Sequence, residues 1–191
     1  MIQRIERVPI NNNNPRLLDK VITELQRGLA DRLPWLNHSF GKAERLVKII
    51  DGRKVYTPNI YIGKNEYELL APDDYLGNFS FFTIDDPQEI SWSVGETSEI
   101  KSPFSLIVWV DMRKIQDVDN RDTESVKRQI LRSLNGEIRL RHGSITINKI
   151  YERAENIFRG FTLDEIDNQF LMSPFMGWRF EGLMKVDDDC I

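Results

Sequence analysis

Between Pro103 and Met112 the chain reads PFSLIVWVDM, a nearly unbroken apolar run rich in β-branched and aromatic residues. A strand exposed on one face alternates apolar and polar residues, because successive side chains point to opposite faces. A run without alternation predicts a central strand covered on both faces. Its apolar centre, Leu106 to Val110, is the longest such stretch and falls far short of the ~20 residues a membrane helix needs. The fold must therefore supply cover on two sides of a sheet.

The chain has the material for it. At 191 residues it is long enough for one well-cored domain, expected to span 1–191 with flexible ends at 1–13 and 187–191. Hydrophobic residues make up 40% and charged residues 29%, the ordinary globular balance, which excludes a disordered chain or a fibre. The polar start, MIQRIERVPINNNN, lacks the apolar core of a signal peptide. A single cysteine, Cys190, leaves no internal disulfide and no cysteine-rich zinc site. A cytoplasmic setting without membrane contact is the expectation.

Periodicity places the other elements. Asn14-Pro15 is a helix start, with asparagine as cap and proline in the first turn. Leu17, Leu18, Val21, Ile22, Leu25, Leu29 and Leu33 then recur every three or four residues until Pro34, predicting a helix over Pro15 to Leu33. Leu46 to Ile50 and Arg53 to Ile62 flank Asp51-Gly52, a hairpin turn, and Pro58 marks the second arm as an edge strand or a broken one. Strands are expected over Phe79 to Ile84 and Glu89 to Val94. A second helix, capped by Asp122 or Thr123, runs through Val126, Ile130 and Leu134 to Asn135-Gly136. Ser144 to Tyr151 alternates with one slip and reads as a strand. Thr162-Leu163-Asp164-Glu165 fits a capping box and predicts a short helix to about Leu171. Met176, Trp178, Phe180, Met184 and Val186 alternate with polar residues, a strand buried on one face and ending at Asp187 to Asp189. The prediction is an α+β domain: a mainly antiparallel sheet with two main helices packed on one face and a short third helix.

The search for chemistry returns little. His38 and His142 have no histidine partner at helical zinc spacing, no G-x-S-x-G elbow presents a serine, and both read as turn or surface residues. Cys190, next to the end, is poorly placed for a nucleophile. The eleven glycines form neither phosphate-binding motif. Pro72-Asp73 followed by Glu99-Ile100-Lys101 resembles the P-D…E-x-K signature of restriction-type nucleases, which would use Asp73 and Glu99 to hold magnesium and Lys101 to steady the attacking water. The E-x-K here follows a polar stretch instead of ending an apolar strand, and Asp73 lies in a turn. No residue is therefore assigned as catalytic, cofactor-binding or metal-binding, and no cofactor is expected. With a net charge of −4, tight specific nucleic-acid binding is not expected either, although Lys127, Arg128, Arg132, Arg139 and Arg141 form a basic stretch. Phe79, Phe81, Phe82, Phe104, Trp109, Trp178 and Phe180 are read as core rather than as a stacking platform.

Three stretches carry a family resemblance: the helix Pro15 to Leu33 before the sheet, the strand Pro103 to Met112 followed by an acidic loop and the helix Thr123 to Leu134, and the closing strand Gly177 to Val186. This order of elements resembles small virion-assembly proteins of tailed bacteriophages and prophages, the tail-terminator or tail-completion group at the head–tail junction. The resemblance implies a non-enzymatic subunit that contacts copies of itself, in a ring, and other virion or tail proteins. The segments Leu69 to Asn78 and Ile115 to Asp122 would be its contacting arms. A metal-dependent nuclease and a small peptide- or protein-binding domain are the alternative readings.

Overall fold

The computed structural model describes residues 15–73, 76–91, 98–115, 122–134, 137–162 and 168–188. In chain order the elements are α1 (Leu18–Arg32), β1 (His38–Lys42), β2 (Glu44–Ile50), β3 (Arg53–Gly63), β4 (Glu66–Leu69), β5 (Phe79–Ile84), β6 (Glu89–Ser91) and β7 (Ser98–Asp111). They continue with α2 (Thr123–Leu134), β8 (Glu137–Leu140), β9 (Gly143–Tyr151), α3 (Ala154–Ile157) and β10 (Phe175–Asp188). Seven strands form one sheet in the order β1-β5-β7-β10-β9-β8, with β6 added on β7; β2, β3 and β4 form a second sheet. All pairings are antiparallel except β1 with β5. The fold is α+β.

The apolar run lies at the centre, as its lack of alternation requires. β7 pairs with β10 from Asp111↔Phe175 to Ser98↔Asp188, and with β5 on its other side. Leu106, Val108 and Val110 point to the face that α1 and α2 cover, joining Val21, Ile22, Leu29, Val126 and Ile130. Ile107 and Trp109 point the other way, into a second cluster with Phe40, Phe79, Phe81, Phe158 and Phe170. The two helices share one face, and short segments rather than long helices cover the other. Trp178, Phe180 and Phe104 are core residues, like the phenylalanines of β5.

Several boundaries and exposures differ from expectation, each for a local reason. α1 begins at Leu18, because Leu17 takes φ 47° and the first turn closes on the carbonyls of Arg16 and Leu17. Leu17 is exposed, so the apolar stripe starts one residue later. Pro58 neither breaks β3 nor makes it an edge: β3 is the middle strand. The Pro58 carbonyl accepts from the Leu70 N–H at 2.8 Å, just past the end of β4, so its missing N–H interrupts no ladder. The slip in β9 is a bulge. Lys149 pairs with Glu181 and Ile147 with Gly182, leaving Asn148 as the extra residue.

Other readings need correction. His38 is buried in β1, stacked on Phe40 with ring centroids 5.6 Å apart, whereas His142 sits in a turn as expected. β10 is covered on both faces where Arg179 lies. Much of Leu69 to Asn78 is packed into the core, through Leu70, Pro72 and Leu76, and is not a free arm. β10 includes the backbone of Asp187 and Asp188, so the strand runs into the expected flexible end. Asn168–Leu171 is a 3₁₀ turn where the end of an α-helix was predicted. The Asn14 cap, Asp74, residues 92–94, 116–121, 135–136 and 163–167, Asp189 and Cys190 lie outside the described residues. Among the described residues no helix is long and apolar enough to cross a membrane.

Candidate functional site

The nuclease-like residues do not converge. Glu99 and Lys101 stand two apart on β7, so they share a face, and Lys101 Nζ lies 2.8 Å from Glu99 Oε1. The Lys101 hydrogen bond holds the Glu99 carboxyl below its usual range, and the same bond raises the lysine. Asp73 belongs to the other end of the sheet. Its Oδ1 accepts from the Leu76 N–H at 2.6 Å, and its charge acts on His38, which pairs with Phe79 opposite Trp109. Glu99 is ten residues back along β7, roughly 30 Å at strand rise. Among the described residues, no three of His, Cys, Asp and Glu come together as a metal-binding group. In the basic stretch, Lys127 Nζ donates at 2.6 Å to both Glu124 and Glu152, which ties α2 to the end of β9.

A charged cleft of about 320 Å³ opens where the β1–β2 joint, the end of β5 and the turn after α3 meet. Arg179 of β10 forms its floor and is only 2% exposed. Its Nε donates to Glu181 at 2.9 Å, its Nη1 to the carbonyls of Ile157 and Arg159 at 3.4 and 3.2 Å, and its Nη2 lies 3.5 Å from Asp85. Asp85 also accepts from the Ser105 hydroxyl at 2.9 Å. Arg159 pairs with Glu181 from the rim, and Arg45 lies over the Tyr56 ring, 3.9 Å from its centroid. The Thr83 hydroxyl is buried here without a hydrogen-bond partner in the structure. Arg179, Arg159, Glu181 and Asp85 satisfy one another, and no histidine reaches the Ser105–Asp85 pair to make it a nucleophile. The network clamps the α3 turn to the sheet.

The second sheet presents a different surface. Ten large hydrophobic residues are exposed among those described, and six lie on β2, β3 and β4: Val47, Ile49, Ile50, Tyr61, Ile62 and Tyr67. Ile49 is 74% and Val47 54% exposed on one face of β2, and Ile50 43% on the other. β2 is the edge of its sheet, so the strand that exposes Val47, Ile49 and Ile50 also carries an open backbone. The hairpin was legible; its bareness was not. A signal was present: Leu46, Val47, Ile49 and Ile50 do not alternate, so both faces of β2 call for cover, as in β7, yet the fold covers neither near the turn.

No protein-family model matches this chain, and no curated protein matches its sequence.

Proposed function

We propose that the protein is a non-enzymatic virion-assembly subunit of a tailed phage or prophage, acting at the tail or head–tail junction through interfaces with copies of itself and with other virion proteins. The exposed apolar residues of β2 beside the Asp51-Gly52 turn, Val47, Ile49 and Ile50, carry the reading. Exposed hydrophobic side chains on the edge strand of an otherwise charged surface mark a binding surface, since covering them with a partner gains about 25 cal/mol per Å² removed from water. Two features support it: the resemblance in element order, and a charged cleft whose buried Arg179 is already paired with Glu181 and Asp85. The cytoplasmic setting belongs to the same proposal.

Light scattering on the eluting protein, together with co-purification against any portal or tail proteins encoded beside it, tests the reading. Self-association or capture of one of these proteins is the expected result. A strict monomer at high concentration that binds none of them overturns it. Magnesium-dependent cutting of plasmid, lost in Glu99→Ala and Lys101→Ala, would establish the nuclease instead.

A further inference from the structure

We infer that the outer edge of β2 pairs with β2 of a second copy of this chain, antiparallel about a two-fold axis at Val47. The inference rests on the interface reading above and names one of its surfaces.

The backbone sets which groups are free. Tyr56 stands opposite Val47 in the β2–β3 ladder, yet its N–H and C=O both go to Thr162 on the far side of β3. Tyr56 and Val47 are therefore a non-hydrogen-bonded pair, and the peptide groups of Val47 point away from β3. Alternation gives Arg45 and Ile49 the same outward direction. Three residues thus offer donors and acceptors along an edge that ends at the Asp51-Gly52 turn, where φ is 50° and 76°. An edge of this kind, with its outward backbone groups open and Val47 and Ile49 exposed beside them, is a template for another strand.

Self-complementarity selects the occupant. With the axis at Val47, Arg45 of one copy falls opposite Ile49 of the other and Val47 opposite Val47, so about six backbone hydrogen bonds close the seam. The apolar side chains of that face then meet across it, with the Arg45 methylenes lying along Ile49. On the opposite face Leu46 meets Lys48, and Glu44 stands diagonal to Lys48 of the second copy, within reach of a long side chain. Opposite charges thus meet at both ends of the seam, Glu44 near the base of one hairpin and Lys48 near the tip of the other. A shift of two residues runs one end of the ladder into the turn, or into Ala43, whose N–H is already bonded to Phe82. The result is a six-stranded sheet shared by two subunits, and an isologous contact is the simplest oligomer a single surface can form.

The test uses the full chain with Cys190→Ser and Val47→Cys. Two cysteines on a two-fold axis meet, so mild oxidation should give a covalent dimer, while Ile62→Cys in the same background, exposed but off the edge, should not. Ile49→Lys should weaken self-association at least tenfold in sedimentation equilibrium without lowering the thermal midpoint, because the side chain touches little in the isolated subunit. If oligomers persist in Ile49→Lys and Val47→Cys crosslinks no faster than Ile62→Cys, the β2 pairing is wrong and the interface reading stands on another surface. If the unmodified chain is a monomer throughout and captures no virion protein, both fall.

Discussion

Arg179 shows how a residue can hold a fold without being legible in the sequence. It alternates with Trp178 and Phe180 as though facing water, yet it lies 2% exposed beneath the α3 turn. Periodicity reports which face of a strand is polar, not whether another segment will cover that face. Removing one member of a buried ion pair leaves its partners desolvated, so Arg179→Met is expected to cost about 3–5 kcal/mol in urea unfolding. Arg179→Lys should recover little, since one ammonium cannot serve Glu181, two carbonyls and Asp85 together. Gly182 is equally silent in sequence. A Cβ there would strike the Thr146 carbonyl beside the bulge, so Gly182→Ala should lose about 3 kcal/mol by the same measurement. His38 adds a pH dependence. Burial holds its imidazole below the usual range, while the Asp73 charge pulls partly back. Its folded-state pKa is therefore depressed, and the stability linked to the neutral ring is present above the ordinary value of about 6.5 and lost as pH falls through that range. The thermal midpoint of the native chain should fall more steeply than that of His38→Gln between about pH 7.5 and 5.5, and equal slopes would remove this account.

Elements whose environment repeats along the chain were the readable ones. The stripes of α1 and α2 and the unbroken run of β7 state which faces are buried, and the structure places them so. β1, β4 and β8 carried no comparable pattern. β1 buries His38 and Ser39, whose polarity argues against burial until Gln26 is seen exchanging bonds with the Ser39 carbonyl and hydroxyl at 2.5 and 3.0 Å. β4 and β8 are four residues each, too short for alternation to show. The candidate interface was half legible, as a hairpin without its exposure. In α2 the expected stripe makes a direct prediction: Ile130 is fully buried between α1 and the sheet, so Ile130→Ala should cost about 3 kcal/mol. At the Asp51-Gly52 turn the loss should be near 1 kcal/mol for Gly52→Ala, because only glycine adopts its φ of 76° without strain. Thermal or urea unfolding checks both, and similar losses at the two positions would mean that the α1–α2 face is less tightly packed than it looks.

On the scale of the whole molecule, β7 sends neighbouring residues into two separate apolar clusters, Leu106 and Val108 toward the helices and Ile107 and Trp109 toward the α3 side. Neither cluster can lose its packing without baring one face of the same strand, and β10 doubles the coupling by pairing with β7 over its whole length. A sheet that forms the wall of both cores should make them melt as one. Two tryptophans report on this, because Trp178 belongs to the helix-side cluster and Trp109 to the other, where its ring centroid lies 5.3 Å from that of Phe158. Phe158→Ala removes a ring that touches only the second cluster and should cost about 3–5 kcal/mol. In chains retaining Trp109 or Trp178 as the emitting residue, with the others changed to phenylalanine, this substitution should lower the urea midpoint by the same amount at both probes. Two midpoints, with Trp178 unmoved, would mean that the cores are independent and that the chain is two folding units sharing a strand. Coincident curves would instead make the two cores one cooperative unit built on the shared sheet, with β7 and β10 as its common wall.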